Sequence, residues 1–169
     1  MQQEKKSPDL NYFLNPGYIY LATRPGTIST VLGSGVSVCI YDQKRKLGGM
    51  NHFQLPFISD KRQATALFGN VATLTLIRML IHDGSDPKHL EAQILGGASN
   101  GAAEPQPIGR ENVRVARSIL KREKIPIVSE DAGGKKGRKV VFTTATNEMA
   151  VIKVDKIRSG DWYPYDRKR

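Results

Sequence analysis

The chain opens polar, with two prolines and few apolar residues in its first sixteen positions, and residues 1–16 read as a loose arm. From residue 17 the pattern turns to β. Residues 17–23 predict a strand ended by Arg24-Pro25-Gly26, and residues 27–32 a second, broken by Gly33-Ser34-Gly35. Residues 36–41 predict a third, closed by a charged turn at 42–46, and residues 47–53 a fourth that stops at Leu55-Pro56. The period then changes. Leu67, Val71, Leu74, Ile77 and Ile81 recur at spacings of 3 or 4, with Phe68 and Leu80 widening the stripe, which predicts a helix over residues 62–82. Asp83-Gly84 supplies its stop. Residues 92–97 predict a short strand ending in glycines. Val113, Ala116, Ile119 and Leu120 mark a second helix over residues 110–124. A strand at 125–128, a glycine-rich turn at 133–137 and a hairpin of 140–144 with 150–154 close the pattern, and the last residues are expected to be loose. Strands in runs with helices between some of them define an α+β class.

Composition narrows this picture. A chain of 169 residues that is 39% hydrophobic is long and apolar enough for one ordinary core. No apolar run approaches a membrane span, and the polar amino terminus has no signal-peptide core behind it, so no membrane insertion is expected. One cysteine excludes an intramolecular disulfide and a cysteine-based zinc cluster. The expected setting is the cytoplasm. The net charge is +10, and residues 110–169 carry +8 of it. That field favours an acidic partner. No DNA- or RNA-binding motif accompanies it, so nucleic acid is not the expected one.

Three features carry candidate chemistry. Gly33-Ser34-Gly35 lies between two strands, whereas a phosphate-cradling turn needs a helix after it. His52 stands at a strand end, where catalytic groups are common; taken alone, it fits a partly buried histidine with one satisfied hydrogen bond better. Cys39 lies in the middle of an apolar run and reads as a buried structural thiol. It shares a strand face with position 35 but sits about 13 Å along the chain from it. His82 and His89 read as surface residues. Scattered histidines and a lone cysteine predict no metal site.

The sequence from Val31 to Val38, with its Leu32-Gly33-Ser34-Gly35-Val36 centre, and the block Gly48-Gly49-Met50-Asn51-His52-Phe53-Gln54-Leu55-Pro56 resemble the chemoreceptor glutamine deamidase family, CheD. Later blocks match in order: Ile94-Leu95-Gly96-Gly97-Ala98, Ile108-Gly109-Arg110-Glu111-Asn112, and Asp131-Ala132-Gly133-Gly134 followed by Gly137-Arg138. The resemblance covers about residues 17–155. It implies a β-sandwich-like core of mixed strands with helices packed on the outer faces and a domain over residues 17–157; the basic tail at 158–169 falls outside it. It also implies a hydrolase that converts glutamine to glutamate on methyl-accepting chemotaxis receptors, with a cysteine nucleophile, a histidine base and no cofactor. A carboxamide is a poor electrophile, so a thiolate is the nucleophile this chemistry needs, and an imidazole generates it.

Carried onto this chain, the family's histidine falls on His52. Its orienting hydroxyl falls on Ser29, with Thr27 and Thr30 nearby. The oxyanion turn falls on Ser34 and Val36. The nucleophile position is Gly35, where the family's pattern is Leu-Gly-Ser-Cys-Val. Glycine forms no thioester, so this chain is expected to lack deamidase activity by the usual route. The alternative is a non-catalytic adaptor that binds chemoreceptors or a CheC-type phosphatase of CheY.

Overall fold

The run at residues 36–41 shows no polar alternation because both of its faces are covered. In the computed structural model, which describes residues 10–99 and 106–162, the strand Val36–Asp42 is buried along its whole length. Val36, Val38 and Ile40 belong to one apolar cluster and Cys39 to another. A strand buried on two sides reads as a continuous apolar run.

In chain order the elements are β1 (Leu10–Phe13), β2 (Ile19–Leu21), β3 (Gly26–Leu32), β4 (Val36–Asp42), β5 (Leu47–Asn51), α1 (Gly69–His82), β6 (Leu90–Gly96), α2 (Ile108–Arg122), β7 (Ile127–Ala132), β8 (Gly137–Thr143), β9 (Glu148–Val154) and the short α3 (Ser159–Trp162). They form two mixed sheets, β1-β3-β8-β9 and β2-β5-β4-β6-β7. Between the sheets lie Leu14, Ile28, Leu32, Cys39, Met50, Leu95, Val140 and Phe142. Both long helices cover the outer face of the five-stranded sheet, where Ala72, Leu76 and Leu80 of α1 and Val113, Ala116 and Leu120 of α2 meet Val38, Ile40 and Ile94. The α+β class and the sandwich-like core agree with the expectation, with the two long helices on a single face.

The structure corrects the reading at four places. Residues 10–13 of the expected loose arm form β1, parallel to β3, and Leu14 behind it is fully buried. Stacking of Tyr12 on Tyr20, centroids 4.1 Å apart, ties β1 to β2 of the other sheet. The rest of that arm, residues 1–9, lies outside the described residues. The first long helix starts at Gly69 rather than 62, since Phe68 is extended and bridges Leu55. Its buried stripe is Ala72, Thr73, Leu76, Ile77 and Leu80, so Leu67 and Ile81 of the predicted stripe face outward. In the expected tail, α3 docks by Asp161, whose carboxylate accepts from Lys139 Nζ at 2.7 Å and from the Arg158 backbone N–H at 2.9 Å.

The turn between β7 and β8 joins the two sheets and is held by a nearly buried cation. Arg138 donates from Nε to Asp131 at 3.0 Å and from its other nitrogens to the carbonyls of Gly133 and Lys136. The 131–138 block thus forms a corner.

Candidate active site

The connection from β3 to β4 crosses from one sheet to the other through Gly33, Ser34 and Gly35. His52 follows β5 and is fully buried. Its backbone is pinned on one side: the His52 N–H donates to the Tyr18 carbonyl at 3.1 Å, and the His52 carbonyl accepts from Gly17 N–H at 2.8 Å. The neighbouring Phe53 exchanges both backbone hydrogen bonds with Val36, each 3.0 Å. This local register brings residue 35 beside the imidazole. A Cβ placed on Gly35 would lie 3.0 Å from His52 Nε2 and 3.1 Å from the Phe53 carbonyl oxygen. A side chain at position 35 therefore starts against the ring edge, and its neighbours must yield a few tenths of an ångström to admit it.

The other ring nitrogen fixes the tautomer. His52 Nδ1 lies 2.9 Å from Thr30 Oγ1, and that hydroxyl donates to the Leu14 carbonyl at 2.7 Å. A carbonyl only accepts, so the single hydroxyl proton goes to Leu14 and Thr30 accepts from Nδ1–H. Nε2 is then the unprotonated nitrogen, and it faces position 35. Burial pushes the imidazole down to about 4, with a backbone hydrogen bond to Leu14 opposing the shift in part. At neutral pH the ring is uncharged.

The hydroxyl in contact with the ring is that of Thr30, one residue on from the expected Ser29. Side chains alternate along a strand, and β3 buries Ile28 and Thr30 while Ser29 is half-exposed on the outer face. The two residues of the expected oxyanion turn, Ser34 and Val36, differ in their bonding. Val36 N–H is committed to Phe53 O, whereas the N–H groups of Ser34 and Gly35 donate to no acceptor among the described residues. Ser34 itself is exposed. Cys39 is fully buried, and desolvation pushes its thiol far above the usual range.

The residues that hold the turn come from the far end of β6 and from α2. The carbonyls of Gly33, Ser34 and Gly35 accept in succession from Ala98 N–H, Asn112 Nδ2 and Gly97 N–H, each at 2.9 Å. Asn112 Nδ2 also donates to the Gln54 carbonyl at 3.0 Å, two residues after His52. Close approach explains two glycines here. A Cβ on Gly96, whose φ is +102°, would stand 2.3 Å from the Gly35 carbonyl. One on Gly109, at the start of α2, would stand 2.2 Å from the Ala98 carbonyl. The glycine-alanine strand end and the helix-start block therefore form one cradle for the turn. Sequence reasoning singled out both blocks but assigned neither this role. Their one signal was small residues beside a fully buried asparagine on the apolar face of an amphipathic helix.

A cavity of about 270 Å³ opens beside the turn, bounded by Ser34, Ser99, Lys135, Asp155 and Ile157. Lys135 has no ion pair among the described residues, while Asp155 pairs with Lys136 at 3.4 Å. Among the described residues no cluster of side chains suits a metal ion, and no helix is long and apolar enough to cross a membrane.

The structure thus brings together a buried imidazole with a fixed tautomer, the Thr30 hydroxyl behind it and the Gly33–Gly35 turn against Nε2. A family model described as CheD chemotactic sensory transduction matches residues 55–153. The probable chemoreceptor glutamine deamidase CheD of Trichlorobacter lovleyi is 37% identical over 148 residues, covering 86% of this chain and 92% of the relative. That of Sulfurimonas denitrificans is 34% identical over 159 residues, covering 92% and 98%. That of Anaeromyxobacter dehalogenans, CheD 1, is 40% identical over 132 residues, covering 77% of each. This chain belongs to the CheD family. An alignment taking in 92% of the chain necessarily spans Thr30, Gly35 and His52.

Proposed function

We propose that this protein engages a cytoplasmic helix of a methyl-accepting chemoreceptor and receives a glutamine side chain at the Gly35–His52 site. As written it binds without hydrolysing, because no nucleophile stands at position 35. The observation that carries the reading is the 3.0 Å approach of a Cβ at position 35 to His52 Nε2, with the ring's tautomer fixed by Thr30. The names of the relatives supply the substrate class. Two cations without an ion pair among the described residues, Lys135 and Arg110, line two cavities that share Ser99, the first of them beside the turn, and suit an acidic receptor surface.

With a thiol at position 35 the chemistry closes. His52 Nε2 takes the thiol proton, and the thiolate attacks the side-chain carbonyl carbon of glutamine. The developing oxyanion meets the N–H groups of Ser34 and Gly35. The imidazolium protonates the leaving nitrogen, ammonia departs, and water hydrolyses the thioester to glutamate and free thiol. No step calls for an oxidant or a metal.

The test sets the chain as written beside Gly35→Cys on a purified receptor cytoplasmic fragment, with products read by peptide mass spectrometry. Conversion in the variant alone is expected. A folded, receptor-binding Gly35→Cys that converts no glutamine overturns the deamidase layout. If the native chain binds no receptor fragment but binds a CheC-type phosphatase by calorimetry, the adaptor reading replaces it.

A further inference from the structure

The Ser34–Gly35 peptide is the centre of the site. Its N–H is one of the two proposed oxyanion donors. In a trans peptide the C=O and N–H point in opposite directions, so whatever holds the carbonyl aims the N–H. The Ser34 carbonyl accepts from Asn112 Nδ2 at 2.9 Å. The flanking carbonyls of Gly33 and Gly35 are held by backbone N–H groups of the β6 end. The middle peptide alone depends on a side chain. The same Nδ2 reaches the Gln54 carbonyl at 3.0 Å and so spans both halves of the site, the turn and the segment that carries His52. Asn112 is fully buried on α2. Glycines at 96, 97 and 109 let that helix approach the turn closely.

We propose that Asn112 is a positioning residue for the amide chemistry of this site. It aims the Gly35 N–H at the oxyanion position and fixes the separation of residue 35 from His52. It touches neither the substrate nor the reacting atoms. The proposal rests on the reading of the turn as an oxyanion site. Geometry of this kind matters because a donor displaced from the developing charge loses most of its effect on the rate.

Two variants separate positioning from plain stability. Asn112→Leu removes the donor at similar volume. Asn112→Ser keeps one shorter donor and is the milder change. In the Gly35→Cys background on the receptor fragment, Asn112→Leu is expected to lower kcat on the order of a hundredfold, with KM changed by less than about threefold. Asn112→Ser is expected to fall between the two. A kcat per folded molecule unchanged in both variants overturns the proposal, whatever the thermal midpoints do. So does a loss that falls on KM alone. A second readout needs no catalysis and uses the chain as written. In its amide nitrogen–proton spectrum, Asn112→Ser should move the Gly35 resonance and leave those of β8 and β9 in place. If Gly35→Cys proves inactive, the deamidase layout fails, and this spectrum still decides the clamp: an unmoved Gly35 resonance overturns it.

Discussion

Position 35 and Cys39 lie on the same side of one extended segment, four residues apart, and their surroundings are opposite. Position 35 has a neutral imidazole nitrogen 3.0 Å from where its side chain would start, and a cavity opens at Gly33 and Ser34 just before it. It has no side chain. Cys39 has the thiol, but it is packed among Leu14, Ile28, Met50 and Phe142 between the sheets, with its pKa driven upward by desolvation. Reactivity belongs to the environment rather than to the sulfur. Four residues of chain thus separate a position beside an imidazole that has no side chain from a thiol that has no imidazole.

The strongest way to break that comparison is to measure thiol reactivity directly. In the chain as written, iodoacetamide should modify Cys39 only through unfolding, at least about a thousandfold more slowly than a free thiol at the same pH. The thiol introduced by Gly35→Cys, with Cys39→Ala to remove the background, should react faster than Cys39 as an imidazole-paired group. Alkylation of Cys39 in the folded native chain at ordinary rates would erase the distinction and make Cys39 the residue to follow.

The second effect lies on the base. The folded imidazole of His52 sits at about 4 against an ordinary value of 6.5. Between these values the unfolded chain binds the extra proton and the folded chain does not. The neutral ring's contribution is therefore complete above pH 6.5 and is lost progressively as pH falls toward 4. The size of the shift corresponds to about 3 kcal/mol. Urea unfolding of the native chain and of His52→Gln should diverge across this window, with the native chain losing more stability on acidification. Parallel curves from pH 7 to 4 would mean that the ring is not held neutral by burial.

Much of this was legible in the sequence, for physical reasons that also mark where legibility ends. The strand run at 27–32 was visible from its β-branched residues, and that at 36–41 because burial on both faces leaves a nearly continuous apolar stretch. Burial of Cys39 followed from the same pattern. The pairing of position 35 with His52 came from a resemblance, and its geometry follows from the Val36–Phe53 register. Three things were hidden. β1 is only four residues long and gains its place by pairing with β3, a partner its own sequence does not announce. Val36 N–H looked available on the turn, and only the cross-strand bond to Phe53 shows it spent. Asn112 is 78 residues from Ser34 in the chain, and no local pattern reports such a contact.

The choice between Ser29 and Thr30 is the smallest of these differences and the most direct test of strand phase. The two hydroxyls are adjacent in sequence and point to opposite faces of β3. Thr30→Val keeps the shape but removes the buried hydroxyl that accepts from His52 Nδ1–H and donates to the Leu14 carbonyl. A cost of about 1–3 kcal/mol is expected in urea unfolding, together with a change in the imidazole nitrogen shifts as the tautomer loses its anchor. Ser29→Ala, on the outer face, should stay within about 0.5 kcal/mol and leave the ring untouched. If Ser29→Ala moved the imidazole shifts and Thr30→Val did not, β3 would be a residue out of phase, and the face that builds the site would be the other one.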